Sequence, residues 1–100
     1  MPSFITRVEL HSGTPEDYQA LDAAMESVGF SRIVPSDDGS AVYLPTGQYL
    51  GTCEAPAAQV SQLAQGAALS IKKGFAVFVS DVTTAAWYGL DPVQPAVTAA

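Results

Sequence analysis

Arg7, Glu9 and His11 alternate along the first hydrophobic run of the chain, Phe4 to His11. Side chains two residues apart in an extended strand point the same way. One strand face therefore carries a guanidinium, a carboxylate and an imidazole in a line. Glu9 and His11 have the chemistry of an acid–base pair, and Arg7 can stabilise charge developing on a phosphoryl group. The same three residues also suit the solvated outer face of a strand, with Arg7 and Glu9 as neighbours of opposite charge. His11 is the only histidine and Cys53 the only cysteine, so neither a histidine metal trio nor a zinc–cysteine cluster can form.

Other candidate chemistry is thin. No Gly-x-Ser-x-Gly elbow, phosphate-cradling glycine loop or dinucleotide fingerprint occurs. Asp37-Asp38-Gly39 has two residues of a calcium loop without the remaining ligand positions, and reads as a turn. Cys53 sits between a strand and a helix, where a small core residue is the ordinary use. Tyr43, Tyr49, Trp87 and Tyr88 are candidates for exposed aromatics that stack on RNA bases or pack under the C-terminal segment.

Elements that must position these residues follow from periodicity. Phe4, Thr6, Val8 and Leu10 form the apolar side of the first strand. Thr14 is a natural N-cap, with Pro15 at the first helical position and Glu16 and Asp17 in the first turn. Tyr18, Leu21, Met25 and Val28 make that helix's stripe, filled in by Ala24, and Gly29 ends it. Phe30 to Val34 is the second strand. An extended segment from Ser40 is broken by Pro45-Thr46-Gly47, and the third strand lies mainly at Gln48 to Cys53. Pro56 opens a second helix with Val60, Leu63, Ala64, Ala67 and Ile71 on its buried side. Lys72 and Lys73 suit its negative end, and Gly74 suits its stop. Phe75 to Val82 is nearly continuous apolar sequence, as in a strand buried on both faces or against a covering segment. Trp87, Tyr88 and Leu90 can dock as a short helical turn.

The order is β-α-β-β-α-β, an α+β fold of the ferredoxin-like kind. It predicts a four-stranded antiparallel sheet with the first and third strands central and both helices on one face. Leu21, Met25, Val60, Leu63 and Val8 are expected to meet in one core, so that Leu63→Ala costs about 2–5 kcal/mol. Residues 1–91 are expected to form one domain and 92–100 a flexible, dispensable C-terminal tail.

Composition bounds the function. The chain has 100 residues, 48% hydrophobic, with a net charge of −6. Arg7, Arg32, Lys72 and Lys73 are its only cations. This argues against broad, non-specific nucleic-acid binding, which rests on neutralising phosphates. A small RNA-contacting patch, or an acidic surface that engages a basic partner, remains open. A lone cysteine, no signal-peptide pattern and no long apolar run point to a cytoplasmic protein without a membrane anchor.

Gly29-Phe30-Ser31-Arg32-Ile33-Val34 after a helix is the first part of a wider pattern. It continues with the acidic turn Asp37-Asp38-Gly39, then Leu44 and a polar stretch. A strand around Tyr49 then runs into the Ala55-to-Ala68 helix. Over roughly residues 4 to 88 this resembles the GhoS family, the endoribonuclease antitoxins of type V toxin–antitoxin systems. That family is similar in fold to small CRISPR-associated nucleases, and its members cut the messenger RNA of a small membrane-toxin gene. The resemblance implies single-strand RNA cleavage. The related nucleases use an acidic residue near the end of the first strand, and Glu9 is the nearest equivalent, a glutamate in place of an aspartate. On this reading Arg7 and Arg32 grip phosphate, Glu9 orients water or a divalent metal, and His11 moves a proton. No other cofactor is implied. The alternative is a non-catalytic, phage- or mobile-element-encoded acidic protein that inhibits a host partner, and a homodimer is compatible with either.

Overall fold

The computed structural model describes residues 2–93. Strand β1 (Ser3–Leu10) leads through α1 (Pro15–Ser27) to β2 (Ile33–Pro35) and β3 (Ala41–Tyr43). Then come β4 (Gln48–Thr52), α2 (Ala57–Leu69) and β5 (Phe75–Val82). The result is a small α+β fold with two sheets. One has the order β4-β1-β5, all antiparallel, and the other is the β2–β3 hairpin. The single four-stranded sheet anticipated above is therefore not formed. β1 is central, but the strand at Gln48–Thr52 has only one bridge beyond it. There Ser31 and Leu50 exchange N–H···O bonds of 2.9 and 2.7 Å. Past that bridge Arg32 O accepts from Leu44 N–H instead, so the chain leaves β4 and pairs with its own continuation.

Local chemistry explains α1. Asp17 N–H donates to Thr14 Oγ1, and Thr14 N–H donates to Asp17 Oδ2, a reciprocal capping box. The Thr14 backbone N–H and then the Lys73 ammonium hold the Asp17 carboxyl below its ordinary range. Gly29 ends the helix at φ +95°, a conformation that side chains rarely adopt. Tyr18 does more than pack. β4 ends before it reaches Leu10, whose N–H faces that side, and Tyr18 Oη accepts it at 3.0 Å.

The core lies between the helices and one face of the three-stranded sheet. Phe4, Val8 and Leu10 meet Leu21 and Met25 of α1 and Val60, Ala64, Ala67 and Ala68 of α2. Leu63 does not join them, contrary to the periodic reading, and is 40% exposed. The buried stripe of α2 is Val60, Ala64, Ala67 and Ala68, and Leu63 stands roughly 85° off its centre at the α-helical turn angle. Small alanines let α2 sit close to β1 and β5, which leaves the longer leucine at the margin.

Other expectations also shift. Val28 lies at the cap of α1 and is largely exposed. Lys72, not Gly74, takes the left-handed conformation after α2, at φ +64°. Lys73 turns away from the helix end and bridges to Asp17 at 3.2 Å, also donating to Ser12 O. β5 is an outer strand, open on one side, and not covered on both faces. Trp87 and Tyr88 form no helical turn, and Tyr88 is fully exposed. The segment anticipated as a tail starts with pairing: Val42 bridges Pro92, and Val93 N–H donates to Ala41 O at 3.0 Å. Residues 94–100 of that segment lie outside the described residues. Among the described residues no helix is long and apolar enough to cross a membrane.

Candidate functional site

The strand register builds the site. Arg7 faces Gln48 of β4 on one side and Phe78 of β5 on the other. Directly opposed residues share a face, so an amide, a guanidinium and a phenyl ring stand in a row across three strands. This is the face turned away from the helices, because Phe4, Thr6, Val8 and Leu10 take the buried side. Phe78 is 65% exposed, unusual for a phenylalanine in a strand. Next along β1 comes Glu9, opposite Ala76. β4 has ended here, and the Thr46–Gly47 turn closes the side of a groove of about 430 Å³. Arg7, Glu9, Gln48, Thr46 and Phe78 all line it.

Gly47 shapes the rim. Its φ is +81°, and its O accepts Val8 N–H at 2.8 Å. A Cβ there would lie 2.6 Å from Val8 O, a backbone atom that cannot step aside. Gly47→Ala should therefore open the end of the groove, at a cost of about 1–3 kcal/mol. Comparison of urea midpoints checks this, and an unchanged midpoint would show that the turn relaxes freely.

Of the residues singled out from sequence, the fold brings Arg7 and Glu9 to this groove. His11 stands just beyond the end of β1, with its N–H donating to Gly74 O at 2.7 Å. Its ring lies against Gly74, where a Cβ would meet Nδ1 at 2.9 Å, and it does not line the groove. Arg32 is elsewhere. Its Nε and Nη2 donate to Leu44 O at 3.2 and 2.9 Å, and Nη1 pairs with Asp22 Oδ2 at 3.3 Å. The guanidinium also sits 5.6 Å from the Tyr43 ring centre. The small cavity beside it, lined by Asp22, Glu26, Ile33, Tyr43 and Tyr49, shares no residue with the Arg7 groove.

Arg32 thus ties the hairpin to α1. Arg32→Ala should lower stability by about 1.5–3 kcal/mol, the range for hydrogen bonds to a charged group. Arg32→Lys should recover little of it, because an ammonium cannot span Leu44 and Asp22 with one planar fork. A urea titration of both variants tests this, and full recovery by lysine would contradict it.

Phe78 and Gln48 are the groove residues that sequence reasoning missed. A phenylalanine inside Phe75–Val82 carries no mark of its own in a nearly all-apolar run. The only available signal was register: counting β5 back against β1 puts Phe78 beside Arg7. Of the aromatics named from sequence, Tyr49 is fully buried and donates its hydroxyl to Asp22 Oδ1 at 2.6 Å. Burial, and then that carboxylate, push its pKa well above the ordinary tyrosine value.

Among the described residues, no three His, Cys, Asp or Glu side chains converge so as to hold a metal ion. Asp38 serves its own turn, accepting from Ser40 N–H and Oγ–H at 3.0 and 2.6 Å. These hydrogen bonds, the hydroxyl first, hold its carboxyl below the usual range. Scans against protein-family models and against curated proteins return no match to the chain.

Proposed function

We propose that this domain binds single-stranded RNA across its open sheet face and cleaves it there, in the manner of a GhoS-type antitoxin. The observation that carries the reading is the row Gln48–Arg7–Phe78 with Glu9 beside it. An exposed aromatic ring offers a base a stacking surface. Arg7 gives the neighbouring phosphate a charge-assisted partner. Gln48 can donate to and accept from a base edge.

Among the described residues, Glu9 is the one carboxylate that lines the groove with Arg7. As a carboxylate it takes the proton of a ribose 2′-hydroxyl while that oxygen attacks the adjacent phosphorus. The bond to the 5′-oxygen breaks, and that oxygen takes a proton from water. The products are a 2′,3′-cyclic phosphate and a 5′-hydroxyl. Arg7 meets the extra charge on the phosphoryl oxygens. His11 and Arg32 have no part in this arrangement.

A ferredoxin-like strand order is in keeping with the reading. With the Ser31–Leu50 pair counted as a strand contact, the order becomes β5-β1-β4-β2. The RNA would then be a toxin message, and the setting cytoplasmic.

One observation favours the acidic inhibitor instead. Of four cations, Arg32 and Lys73 are held in ion pairs, which leaves Arg7 and Lys72 outside such pairs among the described residues. RNA affinity can then depend on few phosphate contacts.

Incubating purified protein with single-stranded RNA, with and without EDTA, tests the proposal. Cleavage with cyclic-phosphate ends is expected, lost in Glu9→Gln with no change in melting midpoint. Intact RNA under both conditions, with stable capture of a basic protein, would replace this reading with the inhibitor.

A further inference from the structure

The free edge of β5 has a definite hydrogen-bonding parity. His11 N–H donates to Gly74 O, which continues the register in which Leu10 faces Phe75. Hydrogen-bonded and non-hydrogen-bonded pairs alternate along an antiparallel ladder. Gly74, Ala76, Phe78, Ser80 and Val82 therefore turn their N–H and C=O groups toward β1. The Val8 N–H bond to Gly47 O agrees, since it sends the even residues of β1 to β4 and leaves the odd ones for β5. Phe75, Val77, Val79 and Asp81 then turn theirs outward. No strand among the described residues receives them. The opposite edge of the sheet is different, because Ser31 occupies it at Leu50.

Nothing within β5 blunts this edge. β5 contains no proline and no lysine, and its one charge, Asp81, stands next to its end. Long apolar edges of this kind pair with another strand unless something prevents it.

We propose that β5 pairs antiparallel with β5 of a second copy about a two-fold axis, making one six-stranded sheet from two three-stranded ones. Parity fixes the register. Hydrogen-bonded pairs must join outward residues to outward residues. With Phe78 opposite Phe78 of the second copy, Val77 meets Val79 and Phe75 meets Asp81, and every outward residue of β5 is used. A shift by two in either direction leaves Phe75 or Asp81 without a partner inside the strand.

At the centre, the two Phe78 rings form a non-hydrogen-bonded pair, where side chains approach most closely. The strand is thus complementary to itself in hydrogen bonds and apolar contact, which identifies the partner as a second copy. This inference does not depend on the RNA reading, though it places the two Arg7–Phe78 rows on one continuous face.

Sedimentation of the full chain across rising concentration should carry the mass from 10.4 kDa to twice that value. Hydrogen exchange should show the Val77 and Val79 amides gaining protection as concentration rises, while those of Ala76 and Phe78 are protected throughout. In a Cys53→Ser background, Phe78→Cys should oxidise to a cross-linked dimer, because facing Cα atoms about 4.5 Å apart suit a disulfide. Ala76→Cys should not, since it faces Ser80. Val79→Pro removes one outward N–H, leaves the β1 ladder intact, and should yield a folded monomer. A chain that stays monomeric at millimolar concentration, with Val77 and Val79 exchanging freely, would overturn the proposal. So would cross-linking through Ala76→Cys in preference to Phe78→Cys.

Discussion

Leu21→Ala should destabilise the domain by about 2–5 kcal/mol, while Leu63→Ala should cost about 1 kcal/mol or less. Both are leucines on amphipathic helices, and a helical wheel alone treats them alike. Leu21 is completely buried between α1, α2 and the sheet, whereas Leu63 is 40% exposed. Removing Leu21 leaves a cavity in the core cluster it shares with Met25, Val60 and Tyr49. For a domain of this size each kcal/mol shifts the melting midpoint by roughly 4–8 °C. Thermal melts of the two variants side by side should differ by at least about 4 °C. Equal midpoints would mean that the core is not where the packing of α2 puts it.

The Tyr49–Asp22–Arg32 chain should give the protein an alkaline limit. Folded Tyr49 keeps its proton far above the ordinary value of 10.0, through burial first and the Asp22 carboxylate second. An unfolded chain gives that proton up near pH 10. Above that point the unfolded state binds fewer protons than the folded one, so stability falls as pH rises. Its contribution is complete below pH 10 and declines by about 1.4 kcal/mol per pH unit above it. Tyr49→Phe should lose about 1.5–3 kcal/mol at neutral pH, the range for a hydrogen bond to a charged group. It should also be less sensitive to pH between 10 and 12. Urea melts of both proteins across that window measure the difference, and parallel curves would show that Tyr49 ionises freely in the fold.

What was legible in the sequence was what neighbouring residues decide. Thr14, Pro15 and Asp17 mark the start of α1 within four positions, and the capping box forms there. Gly29 marks its end, and Pro56 immediately precedes α2. Alternation from Phe4 to Leu10 separates a buried from an open face without reference to any partner strand. Features set by distant partners were not legible. Asp22 is ten residues from Arg32 and twenty-seven from Tyr49, and nothing local says that one carboxylate serves both. Pro45-Thr46-Gly47 was visible as a break, but its consequence, a hairpin that leaves the main sheet after Ser31, depends on where β4 docks.

The same limit shaped the candidate site. Arg7 and Glu9 share the groove because one strand carries both, and strand periodicity alone can say so. His11 has the right parity but lies past the end of β1, with its ring against Gly74. Arg32 has the right charge but sits in the hairpin, held by Leu44 and Asp22. Phe78 has no local signature, since Ala76, Phe78 and Ser80 on the open face are hardly more polar than Val77 and Val79 on the other.

The central claim is that the Gln48–Arg7–Phe78 row takes single-stranded RNA. Fluorescence titration of a short labelled RNA at several salt concentrations tests it most directly, comparing wild type with Phe78→Ala and Arg7→Gln. Loss of the stacking ring should weaken binding by about 1–3 kcal/mol, roughly 5- to 150-fold, at every salt concentration. Loss of the guanidinium should weaken it most at low salt. It should also reduce the slope of log K against log salt by about 0.7, the value for one phosphate contact on a single strand. Equal affinities and equal slopes for all three proteins, or no binding by wild type even at low salt, would contradict the account.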